Sequence, residues 1–322
     1  MAAPTGAQPT KTTPGSAPHS AAQAEPVVPA FTAPFRTGFE PDEFHPDNPN
    51  EITWAVLDNT SPIVNASPWS MSVFYETPGD ANDRHAQIAP DLVDPENSVL
   101  RLWLKNAVID TGYLGHTKGR IQTGFPGSLS ATEIYCKQRM FIHEDFNLLL
   151  TYPPDGDQWW LNIPFFDFWT GAAWEGHPNP ANIGFSIFPF LGRFYFYVHN
   201  RAMPELSSIW ESYNFTSEVP IGEWFTMEIG YRMGDADSGR IVLVITPDST
   251  GISTVIFDIT DITYDPAADL PGGTGPVPVS HWNPQKIYAS DNTIHFIRDN
   301  GGTAQFDFDD FEFAGAWPKD WP

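Results

Sequence analysis

Cysteine is all but missing: the 322 residues hold one, Cys136. That excludes an internal disulfide framework and any zinc site built on several thiolates. Cys136 lies in a stretch that alternates apolar and polar residues, which reads as a buried thiol rather than a nucleophile. Positive charge is also scarce. Sixteen Lys and Arg stand against 40 Asp and Glu, a formal charge of −24, and such a field repels nucleic acid and anionic lipid. Neither is expected as a partner. No run approaches the roughly 18 apolar residues of a membrane span, and the N-terminus lacks the charged-then-apolar order of a secretory signal, so a soluble chain is expected. Long helices are lacking too, because 32 Pro and 25 Gly interrupt the chain too often to sustain them. His143, His177 and His295 have no ligand-like spacing and read as loop or edge residues.

Aromatic residues, by contrast, are abundant. They make up 14% of the chain, with 24 Phe and 12 Trp, enough for a wide core and an aromatic surface besides. Residues 1–34 are Ala, Pro, Thr, Ser and Gly with hardly a ring among them, too poor in apolar surface to offset the entropy of ordering. They read as a flexible arm, either a linker or a tether that orders against a neighbouring subunit. From Phe35 onward, short β-type runs alternate with turn clusters. Strands are expected at 35–40, 52–57, 71–76, 99–108, 118–123, 133–143, 159–167, 183–188, 192–201, 224–232, 240–246, 254–259 and 305–313. So many strands with almost no helix point to one all-β, two-sheet antiparallel sandwich over residues 35–322. One short helix is expected, capped by Ser290 or Asp291 and stopped at Gly301-Gly302. The Pro- and Gly-rich stretch 265–284 reads as a long loop bordering the functional site.

In a strand, residues two apart share a face, so each run splits into a core row and a second row. In 192–201, Phe194, Phe196 and Val198 form the core row, and Arg193, Tyr195, Tyr197, His199 and Arg201 form the other. In 99–108, Leu100, Leu102 and Leu104 oppose Arg101, Trp103 and Lys105. Lys118, Arg120 and Gln122 make a third second row, and Glu133, Tyr135, Lys137 and Arg139 a fourth. These rows mix Arg and Lys with Tyr, Trp and His, where a plain solvated face carries Thr, Ser, Lys and Glu. Eight of the sixteen basic residues fall between Arg101 and Arg201. Two readings follow. The basic groups pair across strands with the plentiful carboxylates, or they line a groove for an extended anionic ligand, with guanidinium forks on acid groups and rings stacked on sugars. Asp167 and Trp169 either continue that surface or are buried. Trp159-Trp160 reads as core.

The run from Phe306 to Phe313 alternates aromatics with carboxylates until the doubled Asp309-Asp310 shifts the phase. Oxygen-only clusters suit a hard cation. With Glu40 brought alongside, Asp309 and Asp310 are expected either to close a structural Ca²⁺ site or to form an acidic edge strand. Nothing points to an organic cofactor.

With these residues laid out, the chain resembles the concanavalin A-like lectin/glucanase superfamily, especially its heparin-lyase-like polysaccharide lyases. The resemblance spans roughly residues 35–316. It rests on the order Gly38-Phe39-Glu40, Lys118-Gly119-Arg120-Ile121-Gln122, Glu133-Ile134-Tyr135-Cys136-Lys137-Gln138-Arg139, Val219-Pro220-Ile221-Gly222-Glu223-Trp224, Gly239-Arg240 and Phe308-Asp309-Asp310-Phe311. It implies a jelly roll whose concave sheet carries the chemistry, with a carboxylate-neutralising Arg120 or Gln122 and a base at Tyr135, Tyr197 or His199. β-Elimination next to a uronate needs those types, a cation or amide to stabilise the enolate-like intermediate and a base for the C5 proton. The Arg-x-Glu-x-Arg and Gln-x-His strands of alginate lyases are absent as such, as is the Glu-x-Asp-x-x-Glu strand of laminarinase-type hydrolases.

Two functions are therefore expected. One is a carbohydrate-recognising jelly roll that acts as a lyase on an anionic polysaccharide, with Arg101, Trp103, Lys105, Lys137, Arg139, Arg193 and Arg201 holding the polymer. The other is a non-catalytic structural or adhesion protein, such as a virion decoration component, whose N-terminal arm mediates self-assembly. Both place the chain outside the cell or on an extracellular particle.

Overall fold

The computed structural model describes residues 35–40, 51–52, 60–66, 69–75, 82–112, 114–124, 130–171, 176–203, 206–271, 273 and 275–322. The arm expected at 1–34, positions 53–57 of the second expected strand and position 76 of the third lie outside them. The strands are β1 (Phe35–Thr37), β2 (Glu51–Ile52), β3 (Thr60–Ala66), β4 (Trp69–Tyr75), β5 (Arg84–Pro90), β6 (Ser98–Leu104) and β7 (Ile109–Asp110). Then come β8 (Thr117–Gly124), β9 (Glu133–Ile142), β10 (Ile163–Thr170), β11 (Ala181–Phe190), β12 (Arg193–Ala202) and β13 (Ser207–Glu218). The last are β14 (Trp224–Arg232), β15 (Arg240–Pro247), β16 (Thr254–Thr260), β17 (Val279–Asn283), β18 (Lys286–Ser290) and β19 (Ala304–Ala314). One α-helix, α1 (Asp291–Asp299), starts at the Ser290 cap and ends before Gly301 at φ 89°, as its capping residues require. None of the described helices is long and apolar enough to cross a membrane.

The strands pair antiparallel. One sheet runs β16-β15-β14-β9-β19-β6-β5-β2, with β1 also on β19; a second runs β13-β12-β11-β10-β17; a third runs β18-β8-β4-β3, with β7 on β8. The second and third are joined into one broad layer. Only Pro284 and Gln285 separate β17 from β18, the Thr123 amide of β8 donates to Gln285 O (2.8 Å), and Asn283 Nδ2 donates to Thr123 O (2.9 Å). β17 and β18 are thus one interrupted strand, with β10 on one edge and β8 on the other. The two-residue break changes the side-chain phase: His281 and Asn283 share a face with Lys286 and Tyr288, while Trp282, Ile287 and Ala289 enter the core.

The broad layer packs face to face on the nine-stranded sheet, giving the expected all-β antiparallel sandwich. Rings meet between the layers, Phe168 against Tyr231 at 5.2 Å and Trp282 against Phe313 at 4.9 Å. One polar bridge crosses this apolar space. Gln138 of β9 is fully buried, donates to Pro284 O (2.9 Å) and accepts from Gln285 Nε2 (2.7 Å), while the Thr123 hydroxyl donates to Gln285 Oε1. Buried amides need such partners, and this set lies directly under the strand break.

Several elements differ from expectation. The stretch 265–284 is not all loop, because its end forms β17 on β10. The strand expected at 159–167 runs instead from Ile163 to Thr170. Strands β3, β5, β13 and β18 were not foreseen, nor the 3₁₀ segment Glu144–Thr151. At Asp309-Asp310 the foreseen phase change is a bulge on β19, with Asp310 at φ 47°.

Candidate functional site

The second row of β12 faces away from the core as the alternation requires. Phe194, Phe196 and Val198 belong to the core, and Tyr197 and His199 lie on the opposite face. Register extends this face across the broad layer. His199 stands beside Gly184 of β11 and Glu211 of β13, Gly184 stands beside Asp167 of β10, and Asp167 beside Asn283 of β17. On the far side, Lys286 and Tyr288 of β18 lie next to Gln122 and Arg120 of β8.

Gly184 explains how the imidazole is seated. A Cβ at this position would lie 2.7 Å from His199 Cε1 and 2.9 Å from Nε2, so the ring occupies space that only glycine leaves open. Asn182 then sets the tautomer. Its Nδ2 donates to Phe168 O (3.3 Å), so its Oδ1 faces His199 Nε2 at 3.3 Å and accepts from it. The proton sits on Nε2, and Nδ1 presents its lone pair. That atom is enclosed and has no hydrogen-bond partner among the described residues. Burial, then the charges of Arg201 and Lys286, hold the imidazole down to about 3 from its ordinary 6.5, so His199 is neutral at physiological pH.

Around it lie fixed charges. Lys286 Nζ pairs with Asp167 Oδ2, both side chains being buried, and Asp167 Oδ1 has no hydrogen-bond partner among the described residues. Tyr197 donates to Glu211 Oε2 (2.8 Å) and accepts from Arg201 (3.1 Å). Burial raises the Tyr197 phenol well above its usual range, Arg201 opposing and Glu211 assisting. Tyr197 is therefore protonated and a proton donor. Further along, the Arg120 guanidinium and the Lys118 ammonium lie 5.3 and 5.1 Å from the Tyr288 ring centre, and Trp160 meets the same ring edge-on at 4.6 Å. Trp159 stacks on His116 at 4.2 Å. The Trp pair thus borders this face, neither ring being fully buried. On these strands Lys118, Arg120, Arg193, Arg201 and Lys286 outnumber Asp167, Glu211 and Glu218, so the face is locally cationic in an acidic chain.

The expectation of one surface lined by all four rows is corrected. Arg101 and Trp103 on β6, Lys105 just past its end, and Tyr135, Lys137 and Arg139 on β9 lie on the outer face of the nine-stranded sheet, across the core from His199. There the charges mostly pair internally. Arg101 grips Asp307 through Nε and NH2 (2.9 and 2.7 Å), and Arg139 bonds Asp248 (2.6 Å) above Trp224 at 4.9 Å. Lys105 lies 5.0 Å from the centre of the Trp103 ring, which stacks on His85. Lys137 is exposed, between Glu228 and Glu312 in register. Tyr135 donates to Glu228, and burial and that carboxylate raise its phenol far above the usual range, so it is no base. Arg193 does sit on the broad layer's face but pairs with Glu218. Arg120 and Gln122 share the face with His199 but are four strands away, roughly 19 Å at about 4.8 Å per strand. The cations whose field reaches His199 are Arg201 and Lys286.

Of the carboxylates expected to hold Ca²⁺, Glu40 and Asp309 approach each other and Asp310 stands apart. Asp309 accepts from Asn97 Nδ2 (2.9 Å) and the Asp310 amide (2.7 Å) and faces Arg139 at 3.6 Å, while Asp310 is exposed on the bulge. Glu40 Oε1 and Asp309 Oδ1 both approach Gly38, 4.0 and 3.8 Å from a Cβ built there. Burial lifts Asp309 to about 6. Among the described residues no three His, Cys, Asp or Glu side chains are placed to hold a metal ion.

Lys286, Asn182, Gly184, Glu211 and Tyr288 were missed from sequence. Lys286 falls between the stretch 265–284 that reads as loop and the helix cap at Ser290, and one row of β13, Ser208, Trp210, Ser212 and Asn214, is mostly polar. The Gly184–His199 pairing had no signal within either strand, since it exists only in the register.

Fold and site together define an all-β sandwich with a polar, aromatic and locally cationic solvent face. No family model and no curated protein matches the chain. Among solved structures it is similar to an endo-β-1,4-glucuronan lyase from the fungus Trichoderma reesei, at 12% identity over 80% of this chain and 95% of that one, with a TM-score of 0.43. It is also similar to the marine PL-14 alginate lyase from Aplysia kurodai (6% identity, 71% and 86% covered, TM-score 0.39). A legume lectin-like domain from Entamoeba histolytica aligns at 10% identity, 66% and 82% covered, with a TM-score of 0.35.

Proposed function

We propose that this chain recognises a uronate-bearing polysaccharide on the solvent face of the broad layer and cleaves it by β-elimination at His199. The observation that carries the reading is the Nδ1 of a neutral imidazole, without a hydrogen-bond partner among the described residues, held near two cations, Arg201 and Lys286. In the reaction, Arg201 and Lys286 bind the uronate carboxylate, and His199 Nδ1 takes the C5 proton. The electron pair left on C5 forms the C4=C5 double bond as the C4–O4 bond breaks, and the departing oxygen takes the Tyr197 hydroxyl proton. A carboxylate between the two cations offsets the field that weakens the base, so the substrate itself raises the proton affinity of His199. Arg120, Gln122 and Lys118 then meet uronate units farther along the polymer. Such a substrate places the work outside the cell or on an extracellular particle.

One observation favours a second reading. His199 and Tyr197 are only 5% and 3% exposed, which suits a non-catalytic glycan-binding structural or adhesion protein. Incubation with glucuronan, alginate, ulvan and glycosaminoglycans, with and without Ca²⁺, separates the two. The lyase generates ultraviolet absorbance from the unsaturated product, and His199→Gln abolishes it. Binding without any absorbance on every polymer leaves the second reading.

A further inference from the structure

Beyond Tyr197 the same face becomes aromatic. Register carries it from Tyr197 to Tyr213 on β13 and to Ser186 on β11, and from Tyr195 to Phe188. Tyr197 and Tyr213 lie 4.6 Å apart, and Tyr213 and Phe215 lie 5.8 Å apart at only 12° between planes. Phe188, Phe190 and Tyr195 close around Phe215 at 5.9, 5.4 and 5.5 Å. The rings form one ladder that starts beside His199 and runs along β11, β12 and β13 to the end of the β11–β12 hairpin. Its far end is open: Phe190, Tyr213 and Phe215 are 46%, 45% and 51% exposed. Ring faces left in water on a long edge strand are a liability unless something covers them.

We propose that this ladder is a second part of the binding surface, which stacks on the apolar C–H faces of sugar rings adjoining the uronate held at Arg201 and Lys286. The inference rests on the polysaccharide reading and adds the direction in which the polymer continues past His199, along β11, β12 and β13 toward the turn between Phe190 and Arg193. Two observations choose this occupant over a second copy of the chain. The ladder is continuous with the polar cluster through Tyr197, so a polymer held at one end lies over the other. Two copies meeting face to face here would set the same cations, Arg201 and Lys286, against each other, whereas a uronate polymer brings carboxylates to them.

The test uses a ladder of glucuronan and alginate oligomers, from disaccharide to octasaccharide, with the wild-type chain and Phe190→Ala/Phe215→Ala. Both substituted rings are exposed, and equal unfolding midpoints check that the fold is kept. The wild type is expected to bind longer oligomers more tightly. The variant should lose about tenfold on the long oligomers and nothing on the disaccharide. Unchanged length dependence in the variant overturns the ladder while leaving the polysaccharide reading in place. Failure of the wild type to bind any oligomer removes that reading and the ladder with it. A wild-type dimer that the variant breaks, seen by light scattering, assigns the patch to a second copy and also overturns the proposal.

Discussion

Acidification from about pH 7.5 to about pH 5 should remove close to 2 kcal/mol of folding free energy through His199 alone. Unfolded, its imidazole titrates near 6.5; folded, burial with Arg201 and Lys286 holds it down to about 3. The folded value lies below the unfolded one, so the unfolded chain takes up the proton first. Stability from this group is complete above the unfolded pKa and is lost as pH falls from there toward the folded value. At about pH 5 the unfolded chain gains RT ln(1 + 10^1.5), about 2 kcal/mol, while the folded imidazole is still neutral. The pH change acts on the rest of the protein too, so the assay is a difference. Wild type and His199→Gln are unfolded in urea at both pH values, followed by tryptophan fluorescence. The gap between them should shrink by about 2 kcal/mol at the lower pH with the denaturant slope unchanged. A gap that stays constant, or a His199 resonance titrating near 6.5, would refute the enclosed neutral imidazole.

Four further outcomes are expected. Gly184→Ala pushes a methyl group into the ring, costing about 1–3 kcal/mol and returning His199 toward ordinary titration, measured by denaturation and NMR. Lys286→Met strands the buried Asp167 carboxylate and should cost about 3–5 kcal/mol, part of it recovered by adding Asp167→Asn in a double-mutant cycle. Gly230→Ala places a Cβ 2.8 Å from Trp317 Cε2. That lifts the C-terminal Trp317 and Trp321, which a red-shifted emission and faster trimming by carboxypeptidase would report. Arg101→Ala removes the cationic partner of the buried Asp307 and lowers the unfolding midpoint, yet kcat/KM on a uronate polymer should stay at the wild-type value, because the proposed site lies on the other layer.

The sandwich class was legible because its signal is local. Period-two alternation in 193–201, 99–104, 118–122 and 133–142 divides each strand into a core row and an outward row whatever it pairs with, and each division holds. The lone buried thiol, the helix between Ser290 and Gly301 and the phase change at Asp309-Asp310 follow from residue chemistry alone. A strand whose inward row is mostly polar, as in β13, leaves no such trace.

Tertiary structure alone decided which outward rows share a surface. Alternation says that Arg101, Arg139 and Arg201 each oppose a core row, but it carries no information on which of the two layers a strand joins. That choice is made by pairing between residues far apart in the chain, β8 with β18 and β10 with β17. It is completed by the Pro284-Gln285 interruption that turns Lys286 toward Asp167. Hence Arg101 and Arg139 meet carboxylates on one side of the molecule, while Arg201 and Lys286 meet His199 on the other: a charge acquires its partner only when strands distant in sequence come into register.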